Sequence, residues 1–569
     1  MPRLPAERHG DRVGAPPAGD CDGATSGEVA SASNDGIFVV MKRLASSLAL
    51  RIALGVGVLL LVAGAGSQLV RETPSSSAAV STQTCSACQG FATGQPLREP
   101  ERLEAKDGVL STTLTAAMAT VTIGGRSVRS QVYNGSFPGP TLVVDPGGQL
   151  NVLLRNRLNP RYLPYGTSSQ VPAQLFPGQP YAGFTQPLGN ITNLHVHGMH
   201  VSPNRPADDV LLSVRPGGSF QYHYALPANH PAGVFWYHPH GHKYTDMQVG
   251  QGQAGAIIVR GGLDELPGIK GLKDRLMVIQ NVEVRDGAVT GSQYQVPVYR
   301  LITINGQVQP RVDIQPGETQ RWRLVNASTE RFLQILPMGG ATYWQLTQDA
   351  RTLSRSRRIG RIWLAPGQRM EVLVQAGQQA GSFPLIQSYF RQRPTPYGVQ
   401  PRVQIATLRV AGTAETPQQI PTNLIPERDL RGPGVQIAGR HTIVMTQAPS
   451  VAQFYIDGQV FQHHGSHYAP VFTATLNTIE EWKLVNNSPE WHNFHLHVDD
   501  YQIIRRDGKA VKGQPEWADS IAIPPGRTIT IRIPFEDYAG TFVFHCHVLV
   551  HEDHGMMAVV KVVEPKAAG

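Results

Sequence analysis

The sequence predicts an all-β protein built from three consecutive β-sandwich domains. Three observations carry that expectation. No long stretch combines helical periodicity with capping residues. Glycine and proline are abundant, 58 and 44 in a chain of 569 residues, as many short strands joined by turns require. A weak repeat recurs three times, and each unit, at about 150 residues, has the length and turn spacing of one sandwich domain.

The first half of each repeat is a turn followed by a strand. The copies read PGGQLNVLLRN over Pro146–Asn156, PGETQRWRLVN over Pro316–Asn326 and EWKLVN over Glu481–Asn486. The segments WRLVNAS (Trp322–Ser328) and WKLVNNS (Trp482–Ser488) are nearly identical. The second half is a Pro-Gly turn, an alternating strand and a Gly-x-Phe step into a last strand. The turns begin at Pro216, Pro366 and Pro525, and the steps at Gly233, Gly381 and Gly540. These landmarks place the domains at residues 105–262, 270–412 and 436–565, with a Pro/Gln-rich linker over 413–435.

Composition narrows the class. At 41% hydrophobic and 16% charged the chain is globular, and its net charge of +8 is spread without a dense Lys/Arg block in the folded part, which argues against nucleic-acid binding. Four cysteines, Cys21, Cys85, Cys88 and Cys546, are too few for a disulfide framework. Cys85 and Cys88 form a CxxC pair open to three readings: a local disulfide, free thiols or metal ligands. Residues 1–40 are polar and patternless, an extension ahead of an alternative start at Met41. Residues 41–70 join a basic start to an apolar run from Ile52 to Val70 and read as a signal peptide, cleaved near Ala63-Gly64-Ala65, or as a membrane anchor. Either reading exports the protein to the periplasm or the cell exterior.

The histidines carry the chemistry. Of 20, ten fall into four clusters: His195 and His197; His238 and His240; His492, His495 and His497; His545, His547 and His551. Aligned at Gly-x-Phe, His238 and His240 of the first copy match His545 and His547 of the third, while the middle copy has Ile386 and Ser388. A structural need for histidine would show in every copy, so the pattern points to a metal site shared by the outer domains. On a strand, residues two apart face the same way, so four HxH pairs can aim eight imidazoles into one cavity. Imidazole suits copper, iron, nickel or zinc. Cys546, between His545 and His547, must face the opposite way. With His492, His551 and Met556 it makes a His₂Cys set with an axial thioether, the ligand set of a blue-copper electron-transfer centre.

The segments LHVHG (194–198), WYHPH (236–240), HNFHLH (492–497) and HCHVLVHEDHGMM (545–557) resemble the copper-binding segments of the multicopper oxidases, the laccase-like family. The likeness runs from about residue 108 to 563. It implies an all-β chain of three consecutive cupredoxin-like Greek-key β-sandwich domains, and four copper ions with a trinuclear cluster between the first and last domains. By resemblance, His492, Cys546, His551 and Met556 bind the type 1 copper, with the methionine implying a moderate potential. His195 and His495 bind the type 2 copper. His197, His238 and His547 bind one type 3 copper, and His240, His497 and His545 the other. Glu552 matches a family proton donor, and Asp208 the family's acidic residue after the first motif, with Asp209 as rival. Pro239 stands where serine is common.

The implied reaction removes single electrons from a small reducing substrate and reduces dioxygen to water. The leading expectation is a laccase-like oxidase of phenols or aromatic amines, with an exposed His492 as the point of electron uptake. The alternative is a metal oxidase acting on Cu(I), Fe(II) or Mn(II). Asp499 and Asp500 are candidates for docking such an ion, but the 11 methionines are scattered rather than gathered in an insert. A non-catalytic copper-binding relative fits less well because every ligand position is filled, and a nitrite reductase because it would have two domains and lack the His-Cys-His segment.

Overall fold

The computed structural model describes residues 85–159, 190–290, 300–394, 398–448, 453–461 and 469–566. The expected signal or anchor segment, and His463, His464 and His467, lie outside the described residues. Among the described residues no helix is long and apolar enough to cross a membrane. Apart from two short 3-10 turns, helix is confined there to Thr245–Gln251 and Leu549–Asp553, and the fold is the expected series of three cupredoxin-like sandwiches. Cys85 and Cys88 form a disulfide.

The repeat becomes a shared sheet. In each domain four strands lie in the same order, one parallel pairing followed by two antiparallel ones. In the first domain they are Thr141–Val144, Gly255–Val259, Gly233–His238 and His195–His197. In the middle domain they are Arg311–Ile314, Val403–Val410, Gly381–Gln387 and Leu333–Pro337. In the last they are Phe472–Thr475, Met557–Val563, Gly540–Cys546 and His492–Leu496. The Gly-x-Phe strand therefore always runs beside the strand that carries the first histidine motif of each outer domain, and the middle domain pairs Leu336 with Ile386 where the outer domains pair His195 with His238 and His495 with His545.

Alternation explains the strands. Gln149–Asn156 and Thr478–Asn486 bury every second side chain, which pins their register to one core face. Trp322 and Trp482, equivalent in the repeat, are 1% and 0% exposed and centre the middle and last cores. The second sheets depart from three separate units. Those of the first two domains fuse into one 12-stranded sheet, joined where Ala288 meets Arg129, while the last domain keeps a 7-stranded one. The linker is not free either. Ser356 Oγ donates to Pro421 O at 2.6 Å, and Leu424 is buried against the middle domain.

The repeat asparagine does the same work three times. Asn156, Asn326 and Asn486 are fully buried, and each Nδ2 donates to two carbonyls of the facing sheet or its loops. Each Oδ1 accepts the backbone N–H two residues on, from Leu158, Ser328 or Ser488. In the last domain this clasp fixes the turn Ser488–Glu490 directly ahead of His492.

Candidate metal centre

The cross-strand registers assemble the imidazoles. His195 pairs directly with His238, and His495 with His545, on adjacent antiparallel strands. Each outer domain thus presents four imidazoles on one surface, and the two surfaces meet. His195 stacks on His497 with ring centroids 4.1 Å apart, and His197 on His495 at 3.9 Å. The Nε2 atoms of His240 and His497 lie 3.1 and 3.2 Å from that of His545. All eight are buried.

Their nitrogens fall into compact sets: His197, His238 and His547; His240, His497 and His545; His195, His197 and His495. One ring nitrogen is often tied down. His195 Nδ1 lies 2.8 Å from Asp208 Oδ2, His238 Nδ1 2.8 Å from Pro239 O, His495 Nδ1 2.9 Å from Asp519 O, and His545 Nδ1 3.0 Å from Glu552 Oε2. The opposite nitrogen, Nε2 of His195, His238 and His495, makes no hydrogen bond although buried, and neither does Nδ1 of His197 or either nitrogen of His547. Buried polar atoms are ordinarily paired, so inward-facing unpaired nitrogens, oriented from behind, fit metal donors. Burial, reinforced by neighbouring imidazoles, holds the pKa values of His195, His197, His238, His497, His545 and His547 well below the ordinary value. They are neutral, the form that coordinates a metal.

A second set lies across the strand. Cys546 Sγ is 3.5 Å from His492 Nδ1 and 3.6 Å from His551 Nδ1, and the two nitrogens are 3.0 Å apart. Asn493 N–H donates to the sulfur at 3.4 Å. Burial pushes the thiol up to about 12, so a bound cation is what would hold it as thiolate. Met556 is buried in the same cluster, and its carbonyl accepts from Cys546 N–H at 3.0 Å. His551 sits on the short helix Leu549–Asp553 that folds back after the strand.

The expectation of an exposed His492 is corrected. It is 0% exposed, and its Nε2 lies 2.7 Å from Ser488 Oγ. The clasp at Asn486 sets that serine over the ring. His551 Nε2 faces Glu490 at 3.4 Å, and Glu490 in turn faces Arg393 of the middle domain at 3.8 Å.

The acidic candidates separate. Glu552 lies 3.5 Å from His240 Nδ1 and 3.0 Å from His545 Nδ1, accepts from Thr245 Oγ1 at 3.1 Å, and has its pKa raised by burial. Asp208 reaches His195, and its other oxygen accepts Val196 N–H at 3.1 Å. Asp209 instead pairs with Arg205 at 2.6 Å. An open cavity of about 650 Å³ meets the cluster at Asp208 and His497. Asp499 and Asp500 are engaged elsewhere, with His200 at 3.3 Å and Arg351 at 3.5 Å. Among the described residues neither His200 nor His242 joins a donor set.

The sequence reading missed Asp519, Arg369 and Asp349. Asp519 Oδ1 lies 3.3 Å from His197 Nε2 and 3.5 Å from His495 Nδ1. It is held by Arg369 of the middle domain, Nη2 to Oδ2 at 2.5 Å, and Arg369 also meets Asp349 at 3.7 Å and Val234 O of the first domain at 3.3 Å. Gly367, at φ +84°, lets the same turn run 3.0 Å from the His547 ring, measured from where a Cβ would stand. Arg369 is thus a buried cation shared by all three domains. Arg369→Gln leaves two buried carboxylates without their partner and lowers stability by about 3–5 kcal/mol, measured by chemical denaturation. Unchanged stability would mean the pair is dispensable.

Three multicopper oxidase family profiles match this chain, over residues 184–263, 280–410 and 440–566. The multicopper oxidase mco of Staphylococcus haemolyticus is 23% identical over 439 residues, covering 76% of this chain and 83% of that protein. A laccase of Haloferax volcanii is 27% identical over 470 residues, covering 76% and 78%. The solved structure of a Campylobacter jejuni multicopper oxidase, described as a metallo-oxidase, has the same fold. It superposes with a TM-score of 0.68 at 22% identity, over 84% of this chain and 96% of that one. With the histidine sets fitting copper and the matched profiles spanning all three sandwiches, the chain belongs to the multicopper oxidase family.

Proposed function

We propose that this multicopper oxidase is laccase-like, coupling four one-electron oxidations of a phenolic or aromatic-amine substrate to reduction of dioxygen to two waters. The observation that carries the reading is the His545-Cys546-His547 step. It sets the sulfur-containing set one backbone residue from two imidazoles of the buried cluster. Four copper ions are assigned to it. His492, Cys546 and His551, with Met556, would hold the type 1 ion, and His195 and His495 the type 2 ion. His197, His238 and His547 would hold one type 3 ion, and His240, His497 and His545 the other. When bound, the coppers supply the one-electron redox chemistry and the site of dioxygen reduction.

The chain's own groups handle protons and geometry. Reducing dioxygen to water takes up a proton with each electron, and Glu552, its pKa raised by burial between His240 and His545, is placed to hold one beside the cluster. Asp208 lines the open cavity and reaches His195, and can carry a proton inward. Its pKa is raised well above the ordinary carboxylate value by burial. Asp519 and Arg369 orient His495 and His197. A metal-ion substrate is the second reading; Asp499 and Asp500, the acidic pair considered for it, face His200 and Arg351. Export to the periplasm or cell exterior, by way of residues 41–70, belongs to the same proposal.

The direct test is oxygen uptake by copper-loaded protein given 2,6-dimethoxyphenol, Cu(I), Fe(II) or Mn(II) side by side. The phenol should drive the fastest uptake; uptake with the metal ions alone would favour the second reading, and none with any donor would end the oxidase assignment. Cys546→Ser should abolish the intense blue absorption and turnover while the remaining coppers still bind, counted by metal analysis; retained blue colour would refute the ligand role. Glu552→Gln should slow reoxidation by dioxygen while reduction of the blue centre by substrate keeps its rate. Equal reoxidation rates would reduce Glu552 to scaffold.

A further inference from the structure

Both type 1 imidazoles are capped at Nε2, His492 by Ser488 and His551 by Glu490. A reductant docked outside the protein must therefore pass its electron through intervening groups. The middle and last domains meet along a cleft of about 350 Å³. Its floor includes Ser520, Ile521 and Ala522 of the strand Ser520–Ile523. There Ala522 pairs with Asn493, whose N–H donates to Cys546 Sγ, and Ile523 pairs with His492. Paired strands lie about 4.8 Å apart, so the floor is one strand from the copper ligands.

The cleft wall supplies a second path. Trp363, half-buried, faces it. The strand Ile362–Leu364 buries Ile362 and Leu364 in the middle-domain core, which turns Trp363 the other way, towards the last domain. Its ring centroid is 5.9 Å from that of Trp491, the residue bonded to His492, and Phe390 lies 5.5 Å from the first ring and 5.2 Å from the second. Aromatic contact thus runs unbroken from the cleft to the neighbour of a type 1 ligand.

Charge defines what would dock. Arg357, Arg361 and Arg506 line the cleft and are exposed. Arg506 shares Glu516 at 2.8 Å, but among the described residues no carboxylate pairs with Arg357 or Arg361. Such a rim repels Cu(I), Fe(II) and Mn(II) and attracts a sulfonate or carboxylate.

We propose that this cleft binds an anionic aromatic reductant, its ring against Trp363 and its acid group on Arg357 and Arg361, and that the electron reaches the type 1 site through Trp363–Trp491 and across Ala522–Asn493. This rests on the oxidase reading and names its substrate class. No bond forms in the step. The phenol loses one electron from its ring and its hydroxyl proton to solvent, and the type 1 copper gains the electron.

The test is anaerobic stopped-flow bleaching of the blue band of copper-loaded full-length protein by hydroquinone and by hydroquinonesulfonate. In the wild type, added salt should slow the sulfonate and leave hydroquinone unaffected. The double change Arg357→Gln with Arg361→Gln should lower the sulfonate-to-hydroquinone rate ratio by about fivefold or more, the effect of two exposed ion pairs. Trp363→Leu should slow both donors severalfold with the blue spectrum unchanged, and Trp363→Phe, which keeps an aromatic ring in the wall, should slow them less. An unmoved ratio, or a Trp363→Leu protein bleached at the wild-type rate, overturns the proposal. Dithionite reduction followed by oxygen separates the two claims. Blue colour that fails to return counts against the oxidase reading, and colour that returns with an unmoved ratio counts against the cleft alone.

Discussion

The structure depends on the two-residue period of one β-strand. In Gly540–Cys546 and the residue that follows, successive side chains leave on opposite faces. The sulfur therefore enters the core of the last sandwich, with His492 and His551, while the imidazoles on either side enter the gap between the outer domains. A single-residue slip would exchange those faces and destroy both sets together. The register is held by His495 opposite His545, Phe494 opposite Cys546 and His545 opposite Met557, and by a core in which Trp482, Phe494 and Phe544 are fully buried.

Carboxylates orient the imidazoles from behind. Two of the acids that face ligand imidazoles are themselves paired with arginines. Asp519 is neutralised by Arg369, and Glu490 faces Arg393. Both arginines come from the middle domain. Its own ligand positions lack histidine, yet it contributes the cations that hold the acids behind His495, His197 and His551. Breaking either buried pair would leave an uncompensated charge beside a ligand, which costs more than the pair itself contributes.

Much of this was legible in the sequence because it is local. HxH spacing, the His-Cys-His step and the Gly-x-Phe alignment declare strand faces without any knowledge of the fold, and the middle copy's Ile386 and Ser388 declare which domains share the site. The repeat asparagines were visible as part of a pattern, but their clasp was not, since their acceptors lie up to 58 residues away in sequence. Arg369 and Asp519 were invisible for the same reason: an arginine in PGQRMEV looks like any strand residue until its partner, 150 positions on, folds against it. The contact of Ser488 with His492 was hidden as well, because a serine four residues earlier reads as a turn former. Trp363 and Trp491 sit in segments that fall together only when the middle and last domains meet.

Function turns on whether the strand Gly540–Cys546 wires a sulfur-bound copper to a cluster shared by the outer domains. Anomalous diffraction at the copper edge, from crystals of copper-loaded protein, tests this most directly. The account predicts one peak bonded to Cys546 Sγ, His492 and His551, and three more enclosed by the eight imidazoles of the first and last domains. A strong peak elsewhere, or a sulfur site filled while the imidazole cavity holds no copper, would contradict it.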